Sequence, residues 1–80
     1  MEYLAGVSIV RDDEADQLLI TILNNDCTKP IAIEILNGNG EIVKAFLVLE
    51  NIIPVALGEF KKGNFSIRVT VNNNVYVKRI

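Results

Sequence analysis

Asp12-Asp13-Glu14-Ala15-Asp16 is the densest group of chemistry-bearing side chains in the sequence, and its oxygens recur at every second position, as those of a calcium loop do. The spacing then departs from the calcium pattern. Gln17 stands where an EF-hand needs its turn glycine, and Leu23 where it needs the bidentate glutamate. The run is therefore expected to be a solvated loop facing Lys61 and Lys62 with no metal bound; a loose surface calcium site is the competing reading.

Asn37-Gly38-Asn39-Gly40 invites comparison with phosphate-cradling loops. It has neither the Gly-x-Gly-x-x-Gly spacing nor a Gly-Lys-Ser/Thr, and the residues after it alternate like a strand, so no helix N-terminus is available to hold an anion. A hairpin turn with its glycines at positive φ is expected instead. Cys27 is the only cysteine and the chain has no histidine, so a nucleophile would lack its usual base. It reads as a half-buried small residue or as an exposed thiol able to link two copies. Arg68, Lys78 and Arg79 could form a small positive face near Tyr76, but nucleic-acid binding needs a stronger basic stripe and exposed aromatics. The absence of Trp argues against stacking on a sugar ring. No catalytic residue, no cofactor and no nucleic-acid partner are expected.

Residue supply thus points away from catalysis and toward architecture. A chain of 80 residues makes one domain and buries only ~60 to 65% of the surface its unfolded form exposes, so its core must be dense. Half the residues are apolar, dominated by Ile, Val and Leu, which suit a pleated, half-buried surface. With a single cysteine, no intrachain disulfide can staple the domain. No run approaches the ~18 apolar residues of a membrane span, and Met1-Glu2-Tyr3 does not open like a signal peptide. If the protein is exported, that signal has been removed. Charge is unevenly placed: residues 1–40 carry seven acids against two bases, and residues 41–80 three acids against six bases.

Seven short apolar segments separated by turn-forming residues predict seven strands: Tyr3 to Arg11, Gln17 to Asn24, Pro30 to Leu36, Glu41 to Leu49, Asn51 to Leu57, Asn64 to Val71 and Asn74 to Ile80. The alternation is cleanest in Phe65-Ser66-Ile67-Arg68-Val69-Thr70-Val71, with Phe65, Ile67, Val69 and Val71 facing inward. Strands at this spacing imply an all-β sandwich or barrel. Pro54 lacks a ladder donor, which places the fifth segment at a sheet edge or a bulge. Antiparallel reversal at each turn sorts the loops into two ends. One end gathers the acidic run, the Asn37 to Gly40 loop and Lys61-Lys62-Gly63. The other gathers Asn24, Asn25, Asp26, Asn51, Asn72, Asn73 and Asn74, the end analogous to an antibody's binding loops, and these are the candidate binding residues.

Taken together, "LLITILNN", "IAIEILNGNGEIV" and "GNFSIRVTVNNNVYVKRI" resemble the small immunoglobulin-like modules of secreted Bacteroidetes proteins, over about Leu18 to Ile80. The elements that carry the resemblance include Asn37 to Gly40, Gly63, Phe65, Ile67, Val69 and Tyr76. It implies a seven-stranded antiparallel immunoglobulin-like β-sandwich in the periplasm, at the cell surface or secreted. The function implied is that of a non-enzymatic binding or accessory module. It would act through loops or an edge strand on a protein partner or on a second copy. Two branches share the pattern, small secreted β-sandwich proteins of unknown function and type IX secretion C-terminal sorting domains; a spacer domain of a larger surface protein is a further alternative. Sorting domains close on a strand like Val77-Lys78-Arg79-Ile80 but open on a Tyr-Pro-Asn-Pro-like segment, whereas Tyr3 is followed here by Leu4-Ala5-Gly6.

Overall fold

A strand alternates its side chains between two faces, so a segment with Ile or Val at every second position has one face that must find another like it. Four such segments dominate this chain. The structure, a computed structural model, describes residues 6–23, 25 and 28–80, and of residues 59 and 61 only the backbone. Its strands are β1 (Val7–Asp12), β2 (Gln17–Ile22), β3 (Ile31–Leu36), β4 (Ile42–Val48), β5 (Ile52–Ala56), β6 (Ser66–Val71) and β7 (Asn74–Arg79). They form two antiparallel sheets, β1-β2-β5 and β4-β3-β6-β7. The chain is a seven-stranded immunoglobulin-like β-sandwich. In the constant-type arrangement the fourth strand lies beside the fifth; here it pairs with the third instead.

The buried core comes from β2, β3, β5 and β6 and the residue just past β5: Leu18, Ile20 and Ile22; Ile31, Ile33 and Ile35; Ile53, Val55 and Leu57; Ile67, Val69 and Val71. No polar or charged side chain is buried among the described residues. The other three strands contribute only partly buried groups, such as Val7 and Ile9 from β1, Phe46 and Val48 from β4, and Tyr76 from β7.

Loop geometry follows the expected sorting into ends. The Leu57 amide donates to the Asp16 carbonyl at 3.0 Å, joining the first loop to the fifth, and Gly38 lies against the Asn64 side chain, joining the third to the fifth. At the opposite end the Ile22 amide donates to the Asn51 carbonyl at 2.8 Å. The segment after β5 is not an open loop. It winds into a 3₁₀ turn, Gly58–Lys62, closed by the Phe60 amide on the Leu57 carbonyl. This turn seats Phe60 edge-on to Phe65, with ring centroids 5.1 Å apart.

Two glycines need comment. Only Gly40 of the two glycines is left-handed, at φ 82, which corrects the expectation for Gly38; a Cβ on Gly38 would meet only the end of the exposed Asn64 side chain, which can swing aside. Gly63 has extended backbone, but a Cβ on it would collide with the Phe65 ring. The Gly-x-aromatic spacing is therefore a packing requirement: Phe65 folds back over the residue two before it to close the sandwich.

Pro54 is explained by hydrogen-bond parity. Because Asn51 and Leu57 pair with the strand-β2 side, alternation turns the backbone of Ile52, Pro54 and Ala56 toward the open edge of β5. The missing N–H would have pointed at solvent.

Gly63→Ala is expected to destabilise the fold by about 1 to 3 kcal/mol through overpacking against Phe65, and Ile33→Ala by about 2 to 5 kcal/mol through a core cavity. Urea denaturation monitored by circular dichroism measures both.

Candidate interaction surface

The structure places the expected loop residues unevenly. Asn25 Nδ2 donates to Asn51 Oδ1 at 2.9 Å, and Asn51 Nδ2 returns a bond to the Asn25 carbonyl at 2.8 Å. Both amides are thus spent on tying the chain after β2 to the start of β5. Asn72, Asn73 and Asn74 are exposed at the β6–β7 turn, where Val71 opposes Asn74. Asn72 takes φ 57, the positive value that a two-residue hairpin turn demands. Antiparallel register brings this turn to the same end as Asn25 and Asn51, although Asn24, Asp26 and Cys27 lie outside the described residues.

The acidic run is also occupied with turn chemistry. Asp12 Oδ1 accepts the Ala15 amide at 3.3 Å, Asp16 adopts φ 55, and Arg11 Nε donates to Asp13 Oδ1 at 2.7 Å. Arg11 of β1 is thus one cation that meets this run; the side chain of Lys61 lies outside the described residues, and Lys62 is exposed. Among the described residues no three His, Cys, Asp or Glu side chains are grouped to hold a metal, and no pocket is enclosed. Asn37 similarly organises its own loop. Its Oδ1 accepts the amides of Asn39 and Glu41 at 2.9 and 3.0 Å, and its Nδ2 donates to the Glu41 carboxylate at 3.0 Å.

What the polar groups leave open is apolar. On the outer face of the three-stranded sheet, register lines up Val10, Leu19 and Pro54, with Ile52 beside them. On the outer face of the other sheet one row runs Leu47, Ala32, Thr70, Val75, and the next Ala45, Glu34, Arg68, Val77. Leu47 and Val77 are 68% and 62% exposed. Glu34 and Arg68 oppose each other in register and pair at 2.7 Å, Nε to Oε1, in the middle of this face. The bond from Arg68 holds the Glu34 carboxyl below its ordinary 4.5; partial burial opposes the shift and the guanidinium charge adds to it.

Strand β4 was legible as a strand but its role as an exposed edge was not. The signal was present: "IVKAFLV" is apolar at both parities, unlike the alternating "SIRVTV" of β6. A strand half-buried on one face only, at Phe46 and Val48, still needs a reason to be hydrophobic on both.

The Glu34–Arg68 pair sets a pH dependence. A folded carboxyl that titrates below its unfolded value contributes stability that is present above about pH 4.5 and is lost as pH falls through the lower folded value. Glu34→Gln is expected to be less stable than the native chain at about pH 7 and to converge with it near pH 2. Denaturant midpoints at the two pH values test this, and a pH-independent gap would refute it. Replacing Asn51 by Ala should cost about 1 kcal/mol, because the partly buried Asn25 amide loses its partner, whereas Asn73→Ala should leave the urea midpoint unchanged.

No protein-family model matches this chain, and no curated protein matches it.

Proposed function

We propose that the chain is a non-enzymatic binding or accessory module, exported to the periplasm or cell surface, that engages protein through the edge of a sheet. The observation that carries this reading is β4, the terminal strand of the four-stranded sheet. Ile42, Val43, Leu47 and Leu49 are exposed on or just beyond it, and it contributes only the half-buried Phe46 and Val48 to the core. An apolar strand with one unpaired side offers main-chain groups for affinity and alternate side chains for selectivity, which is how strand addition recognises extended peptides.

The use of the polar residues supports the non-enzymatic part of the reading. Asp12, Asn37, Asn25 and Asn51 are committed to turns and loop ties, Glu34 is committed to Arg68, and these groups stand at different places on the fold rather than converging on one point.

An alternating Val-Thr peptide flanked by lysines supplies a probe for the edge. Titrated into isotopically labelled protein, it is expected to shift the backbone amide signals of Ala45 and Leu47 most strongly. Shifts centred on Asn72, Asn73 and Asn74 would overturn the edge reading in favour of the loop end.

A further inference from the structure

Hydrogen-bond parity can be followed strand by strand across the four-stranded sheet. The Ile80 amide donates to the Phe65 carbonyl at 2.9 Å, so on β6 the residues Ile67, Val69 and Val71 bond toward β7, and Ser66, Arg68 and Thr70 toward β3. By the same alternation Ile31, Ile33 and Ile35 bond toward β4, where they oppose Val48, Phe46 and Lys44. The backbone groups of Ala45 and Leu47 are then turned to the open edge.

The remaining edges are guarded. Pro54 interrupts the donor row of β5. On the far side of the sandwich Lys78 Nζ reaches from β7 to the Ile9 carbonyl at 2.8 Å, and the Gly6–Leu23 bond sets a parity in which that carbonyl faces the open edge of β1. Strand β7 itself carries Lys78 and Arg79 side by side, and edge cations of this kind discourage pairing. From Ala45 to Leu49, β4 and the residue after it carry neither charge nor proline.

We infer that the open edge of β4 pairs antiparallel with the β4 edge of a second copy of this chain, about a two-fold axis at Phe46 that sets Ala45 opposite Leu47 of the other copy. The inference rests on the reading of β4 as the contact edge and adds the occupant and the register. An axis at Phe46 makes the two outward-facing residues partners of each other, and each reciprocal pair exchanges both of its N–H···O bonds. Small Ala45 lies beside large Leu47 on the outer face. Lys44 then falls opposite Val48 and diagonal to Glu50 of the other copy, within reach of a long side chain. Neighbouring axes fail. One at Lys44 opposes two ammonium groups, and one at Ala45 must pair Leu47 with Val43. Val43 is the extra residue of a bulge, since Ile35 opposes Lys44 while Leu36 opposes Ile42. One at Leu47 runs the ladder beyond Val48, where the strand ends.

Sedimentation equilibrium of the native chain up to about 1 mM is expected to show a reversible dimer. Leu47→Lys, which alters an exposed side chain, should weaken it at least about tenfold with an unchanged circular dichroism spectrum and thermal midpoint. Lys44→Glu should weaken it about threefold to fivefold, and adding Glu50→Lys should restore it. In a Cys27→Ser background, Ala45→Cys with Leu47→Cys should oxidise to a covalent dimer, because opposed residues of a hydrogen-bonded pair lie at disulfide distance. A native chain that stays monomeric to about 1 mM, or a dimer indifferent to Leu47→Lys, overturns the inference. If that monomer still shows peptide shifts at Ala45 that Leu47→Lys abolishes, self-pairing falls while the edge reading stands.

Discussion

The constraint on which this fold depends is the meeting of four alternating apolar rows, two from each sheet. Strands β2 and β5 bring Leu18, Ile20, Ile22, Ile53 and Val55 to face Ile31, Ile33, Ile35, Ile67, Val69 and Val71 from β3 and β6. Without a disulfide, this contact has to hold the sheets together, and it does so with no buried polar side chain among the described residues. Apolar packing of this kind is unforgiving of volume changes but asks nothing of charge or pH. The residues that respond to pH, Glu34 and Arg68, sit on an outer face, where they join β3 to β6 across the pair of strands farthest apart in sequence within their sheet.

Loop residues that looked capable of chemistry turn out to shape the backbone. Asp12 and Asp16 make a hairpin turn possible, Asn37 satisfies two amides of its own loop, and Asn25 with Asn51 ties a sheet-changing connection to a strand. Short polar side chains are favoured at such points because they substitute for backbone partners that the ladder no longer supplies. Lys78 does similar work at longer range, joining the last strand to the first.

The strands and most of the core were legible in the sequence because period-2 alternation is local: Phe65 to Val71 announces its buried face without reference to anything else. Pro54 likewise announced an edge. Partner choice was not legible. The fourth strand pairs with the third through a hairpin whose bulge at Val43 leaves no compositional mark, and the 3₁₀ turn that sets Phe60 against Phe65 leaves none either. The close approach of Phe65 to Gly63 was visible only as a spacing. Counting reversals grouped Asn25, Asn51 and Asn72 to Asn74 at the end where register puts them, yet counting could not reveal that the first two amides were already spent on each other.

A further consequence follows from how little β4 gives to the interior. With Leu47, Leu49, Ile42 and Val43 on the surface and the twelve buried apolar residues among those described supplied elsewhere, the outward side chains of this strand are released from the packing that fixes its neighbours. Mutational drift there costs the fold little. A lineage built on this scaffold could therefore exchange one associate for another by rewriting a single peripheral strand, while the interior that makes the domain foldable passes unchanged between descendants.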